Sequence, residues 1–169
     1  TIGLPRLFAD PLAFDTLRGE VDWQRSGDAT ELHVKDVAFG NGDLSGTASG
    51  TWRSRASGPG DVDIRAQFAR VNLASTHRYL PLWAGTAVRE WVHRALVKGT
   101  SGDAKITLAG DLAQFPFAGG KGGQFVFAAK AQDATLAYDA RWPAISDISA
   151  DVRLDGTRLV VAASAARVL

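Results

Sequence analysis

The side chains best suited to bind a transition metal, or to move a proton near neutral pH, are His33, His77 and His93. They stand far apart in sequence and in different elements, and no two have the i, i+4 spacing of a helical zinc motif. The chain has no cysteine, which excludes thiol nucleophiles, thiolate metal sites and disulfides. Ser49 sits in Gly46-Thr47-Ala48-Ser49-Gly50, but mid-strand, not at the strand-to-helix turn that exposes a serine nucleophile. Lys121 lies in the glycine run Gly119–Gly123, which lacks the spacing and hydroxyl of a phosphate loop and joins strand to strand, with no helix N-terminus to hold an anion. Carboxylates occur singly in turns or on strand faces, with no pair set up for acid–base work. No catalytic residue, metal site or cofactor is expected.

The positions that could act are therefore apolar ones, and their spacing is that of strands. Leu17, Gly19, Val21 and Trp23 alternate with Arg18, Glu20, Asp22 and Gln24; Leu32 and Val34 alternate with His33 and Lys35; Val62, Ile64, Ala66 and Phe68 alternate with Asp63, Arg65 and Gln67. Between the last two runs, Leu44, Gly46, Ala48, Gly50 and Trp52 form a nearly bare face, over which something bulky must lie or at which the sheet must bend. From Ser75 the period changes. Val88, Trp91, Val92, Ala95 and Leu96 fall on one helical stripe, with Thr86 as N-cap and Gly99 as stop, after a shorter helix near 75–80 capped by Ser75 or Thr76 and ending at Pro81. Strands resume at 104–113, 124–131, 135–141, 149–154 and 158–166, with Asp155-Gly156 as a hairpin turn. The expected fold is mainly β with a helical insert: a curved antiparallel sheet, a groove or half-barrel of about nine strands, with strands over 13–72, one or two helices over 75–98 and strands over 104–166.

Hydrophobic residues make up 46% and charged residues 22%, as in ordinary folded protein. With 19 basic and 18 acidic residues the net charge is +1, so nucleic acid is not an expected partner. The chain starts at Thr1 without methionine and ends in the apolar run Leu159–Leu169, and is expected to be a piece of a longer protein whose membrane anchor lies elsewhere. The simplest role for Trp23, Trp52, Trp83, Trp91 and Trp142 is core packing; the alternative is to line an apolar cavity or place the helix at a membrane surface. Val126 and Ala128 opposite Phe125 and Phe127, and Val160 and Ala162 opposite Leu159 and Val161, make both faces of the last strands apolar. Both faces should there be covered, one by the helices and one by ligand or further chain.

Several segments together resemble the YhdP-type, AsmA-like envelope proteins: Tyr79-Leu80-Pro81; Val88-Arg89-Glu90-Trp91-Val92; Gly102-Asp103-Ala104 through Gly110-Asp111-Leu112-Ala113-Gln114-Phe115-Pro116-Phe117; Gly123-Gln124-Phe125; Asp133-Ala134-Thr135-Leu136-Ala137-Tyr138; and Trp142-Pro143-Ala144-Ile145. The resemblance covers most of 44–165 and rests on the order and spacing of these segments. Such proteins are similar to the TamB group and to bridge-like lipid transfer proteins. The resemblance implies a periplasmic part of a protein anchored in the inner membrane of a Gram-negative bacterium, with an apolar β-groove that carries phospholipid toward the outer membrane. Implied partners are phospholipid acyl chains, the rest of the same polypeptide on both sides, and envelope proteins at the membranes. The candidate lining residues are Val21, Leu32, Val34, Val62, Ile64, Ile106, Leu108, Phe125, Phe127, Val152 and Leu154. A scaffold domain that binds no lipid, with these side chains in a closed core, is the alternative.

Overall fold

A computed structural model describes residues 11–80 and 82–168; residues 1–10, Pro81, the side chain of Trp83 and Leu169 lie outside the described residues, and with them the expectations placed on Pro81 and Trp83. The chain forms one nine-stranded antiparallel sheet with a helical insert. β1 (Thr16–Ser26), β2 (Ala29–Gly40), β3 (Leu44–Arg53) and β4 (Asp61–Asn72) pair in chain order. A 3-10 helix over Leu73–Tyr79, a short 3-10 turn over Leu82–Ala84 and α1 (Thr86–Ala95) follow. Then come β5 (Leu96–Ser101), β6 (Ala104–Asp111), β7 (Gly123–Leu136), β8 (Ile145–Asp155) and β9 (Arg158–Val168). β6 lies between β4 and β7, and β5 continues the same gap beyond the start of β6. The sheet does not close: among the described strands β1 pairs only with β2, and β9 only with β8.

The insert departs from the expected bounds. α1 ends at Ala95, so Leu96 leaves the helical stripe and begins a strand. The cause is unsatisfied backbone: β4 and β7 both run past β6, and β5 bonds Val71 and Asn72 on one side and Leu136, Thr135 and Gln132 on the other. Gly99, at φ +133°, allows this approach, since a Cβ there would lie 2.8 Å from the Ala134 Cα. Nor do the expected caps act. The first helix is capped by Asn72, whose side chain accepts from the Ala74 N–H, and Gly85 at φ 81° precedes α1 without a side-chain cap, leaving Thr86 as the first helical residue. The strands expected at 124–131 and 135–141 form one, β7, and 137–144 is a loop.

Curvature has two local causes. Gly19, Gly46, Gly50, Gly110 and Gly123 share one face of the sheet, and a Cβ on any of them would run into the adjacent strand, as at Gly50, where it would lie 2.1 Å from the Asp63 carbonyl oxygen. The sheet therefore curls toward that face. The other cause is a set of bulges at Asp36, Asp133 and Asp147, each with positive φ, where the register of β2, β7 and β8 shifts. Aspartate tolerates the left-handed conformation better than most residues. The bare face of β3 is filled by its neighbours: Phe39 and Phe68 meet over Gly46 with ring centroids 5.6 Å apart.

Six buried residues gather where the insert joins the sheet: Leu44, Ala95, Ser101, Ala104, Ala129 and Ala134. Ser101 is 1% exposed, and its hydroxyl has no hydrogen-bond partner. A buried hydroxyl without a partner is a net cost, so Ser101→Ala is expected to stabilise the chain by about 1 kcal/mol in denaturant unfolding. Gly50→Val is expected to destabilise it by about 3 kcal/mol or more in the same measurement, since both φ and the neighbouring backbone oppose a side chain.

Candidate functional site: the concave apolar face

Register places all eleven candidate lining residues on one face of the sheet, the face that carries Gly19, Gly46, Gly50, Gly110 and Gly123. One row of cross-strand partners runs Val21, Val34, Gly50, Ile64, Leu108 and Phe125. The row beside it runs Trp23, Leu32, Trp52, Val62, Gly110 and Gly123. On the other side lie Val37, Ala48, Ala66, Ile106, Phe127, Leu154 and Leu159, then Leu17, Phe39, Gly46, Phe68, Ala104, Ala129, Val152 and Val161. No ionisable side chain interrupts these rows. Of the eleven, only Val62 is buried, at 6% exposure; the others keep part of their surface open. Side chains that filled a sealed interior would be nearly all buried.

Sequence reasoning missed Val37 and Phe39 as members of this face. The two polar residues Lys35 and Asp36 break the alternation, and the bulge at Asp36 restores it by setting both against Ser49. Consecutive polar residues followed by a resumed apolar period were the available signal. The expectation that the helices cover one face of the last strands fails. α1 packs on the preceding 3-10 helices and β5, at one end of the sheet, and Val160 on the convex face is exposed. Core packing fails as a role for Trp23, Trp91 and Trp142, which are exposed, whereas Trp52 is half-buried and donates from Nε1 to the Pro59 carbonyl at 2.8 Å. In the helical stripe, Ala95 is buried and Val92 and Leu96 are half-buried, but Val88 and Trp91 face outward.

Each end of the trough is lined by aromatic rings. Phe14, Phe39 and Phe68 stack edge-on at the end near the insert, at 5.7 and 5.6 Å. At the other, Phe115 lies 5.2 Å from Phe125 and 5.8 Å from Phe117, which is buried over the Cβ-free Gly123. Asp111 positions this second cluster: it accepts from the Ala113 N–H at 3.0 Å, and Arg55 bridges it to Asp61. On the opposite face of the sheet Lys35 joins Asp22 at 2.6 Å and Glu20 at 3.3 Å. That pairing holds the Asp22 carboxyl below, and the Lys35 ammonium above, the ordinary value.

The structure brings together two residues that the sequence left apart. The His77 and His93 rings stack with centroids 4.0 Å apart and tie the first 3-10 helix to α1, while His33 lies elsewhere, beside Glu31. Among the described residues no group of three potential ligands could hold a metal ion. Ser49 stays on the convex face mid-strand, and the Gly119–Gly123 loop adjoins β7 with only a short 3-10 turn.

An open sheet with one uncharged concave face, a short insert at one end and the Gly102–Phe117 strand-to-turn segment agrees with comparison to known families: a family model described as YhdP protein matches residues 1–169. The chain belongs to the YhdP family. Neither the curated proteins nor the solved structures contain a match to it. The family is one of cell-envelope proteins, and among the described residues no helix is long and apolar enough to cross a membrane.

The Asp111 carboxyl is held below the usual carboxylate range, first by the Ala113 N–H, then by Gln114 and Arg55. A depressed value means that its contribution is complete above the unfolded-state value of about 4 and is lost as pH falls through the folded one. Acidification below about pH 4 is therefore expected to lower amide-exchange protection, corrected for the intrinsic rate, across 112–117, and Asp111→Asn is expected to lower it at neutral pH and to remove that step.

Proposed function

We propose that this chain is a non-enzymatic segment of a periplasmic, inner-membrane-anchored protein and that its concave face shields acyl chains while phospholipid moves between inner and outer membranes. One observation supports this reading above the others: four adjacent rows of uncharged side chains continue from strand to strand across an open sheet, and all but one of the eleven proposed lining residues keep solvent access. The physical need is large. A diacyl phospholipid carries about 30 methylenes, and at about 0.8 kcal/mol each their exposure to water costs about 25 kcal/mol. A sheet lowers that cost without chemistry. At about 4.8 Å per strand, the lined face extends on the order of 40 Å across the strands. Apolar contact has no preferred direction, so hydrocarbon can slide over a uniform floor without meeting a deep trap. Headgroups stay in water above the trough and require no specific contact.

Ile64 and Leu108 are paired at the centre of the face. Ile64→Asp or Leu108→Asp is expected to abolish photocrosslinking of a phospholipid bearing a photoreactive acyl chain, with the circular dichroism spectrum of the sheet retained. Crosslinking at the original level in both variants would reject the groove. Native mass spectrometry with no co-purifying lipid, together with no crosslinking in the original chain, would favour a scaffold domain.

A further inference from the structure

Outside the concave face, α1 and the 137–144 loop build an exposed aromatic cluster among the described residues. Trp91 of α1 donates from Nε1 to the Tyr138 carbonyl at 3.2 Å, and the Tyr138 ring lies 6.4 Å from that of Trp142. The three side chains are 44%, 41% and 62% exposed, and Val88, one helical turn before Trp91, is exposed as well. The contact between the two elements is continuous with the backbone bond from the Ala137 N–H to the Ala95 carbonyl at 2.8 Å, so the aromatic groups sit on a fixed platform. Amphipathic aromatic rings that keep about half their surface in water are the residues that settle at a lipid–water boundary.

The charge around the cluster points the same way. Arg94 lies one turn beyond Trp91 on α1, Arg89 is on the same helix and Lys98 is on the strand that follows; none of the three has a carboxylate partner among the described residues. Arg141 in the loop is neutralised by Asp139 at 2.9 Å, which leaves Glu90 as the one acidic residue of α1. We infer that Trp91, Tyr138 and Trp142, with Arg94, form a docking surface for the face of an anionic phospholipid bilayer. A second copy of the chain fits less well, because a two-fold contact through this patch would set Arg94 near its own equivalent. The surface lies on the insert and not on the trough, so it stands or falls separately from acyl-chain shielding.

The test is flotation of the 169-residue chain with phosphatidylcholine vesicles and with vesicles that also contain phosphatidylglycerol, read together with tryptophan emission. The original chain is expected to float with the anionic vesicles, with a blue-shifted emission, and to be released by salt as charge attraction is screened. Trp91→Ala combined with Trp142→Ala is expected to lower partition about tenfold or more, and Arg94→Gln to reduce the preference for anionic over neutral vesicles. Trp142→Ser alone, at the most exposed of the three positions, is expected to weaken flotation with no change in thermal unfolding. Ile64→Asp separates the two surfaces, since docking through the insert survives that change whereas capture of vesicle lipid by the trough does not. Failure of the original chain to float, equal binding to neutral vesicles, undiminished flotation of the folded tryptophan variants, or a stable dimer in light scattering that those variants dissolve would each overturn the inference.

Discussion

A sheet that bends tightly must clear its inner face of side-chain stems at the bend, because the Cα atoms of adjacent strands close on one another there. This chain does so with glycine at Gly46 and Gly50 on β3 and at the cross-strand pair Gly110 and Gly123 on β6 and β7, each placed where a Cβ would strike neighbouring backbone. The rows of larger residues beside them then lean inward over the cleared positions, as Phe39 and Phe68 do over Gly46. Bending and apolar lining are one device: the same alternation that supplies valine, isoleucine and leucine to the inner face supplies the glycines that let it curl.

That bend leaves an unusual balance. Amphipathic sheets bury their apolar face against a second layer, and a helix is the common cover. Here α1 is spent at one end of the sheet, completing the core of small residues around Ala95, Ser101 and Ala104, and does not lie across the rows. Aromatic groups stand at the two ends of this face, and the residues between them, Ile64, Ile106 and Leu108, remain partly open. Uncovered hydrocarbon on this face is costly in water.

The period-two signal was legible because one face of the sheet stays wet: Asp63, Arg65 and Gln67 mark the outside of β4 as plainly as Val62, Ile64 and Ala66 mark the inside. The candidate residues could be placed on one face for the same reason. What could not be read was set by long-range pairing. Leu96 continues the helical stripe in sequence but is drawn into a strand by two strands that overrun β6. The bulges at Asp36 and Asp133 hide a continuous strand behind an interrupted alternation, and the one at Asp133 made β7 look like two. The aromatic cluster at Trp91 joins residues from elements whose nearness only the fold reveals.

The two free edges of the sheet differ in a way that follows from the same alternation. β1 carries Arg18, Glu20, Asp22 and Arg25, and charge along an edge opposes pairing with a stray strand, because a partner must desolvate or match it. β9 has no charged residue from Leu159 to Ala166, and its side chains are exposed on both faces. Among the described residues no strand pairs with the outer side of β9, and its uncharged side chains offer little resistance to another strand. The concave rows reach this edge at Leu159 and Val161, so a strand added there in register would extend the apolar floor and not cap it. Such a strand would keep the side-chain alternation of β8 and β9, because register fixes which face each residue joins.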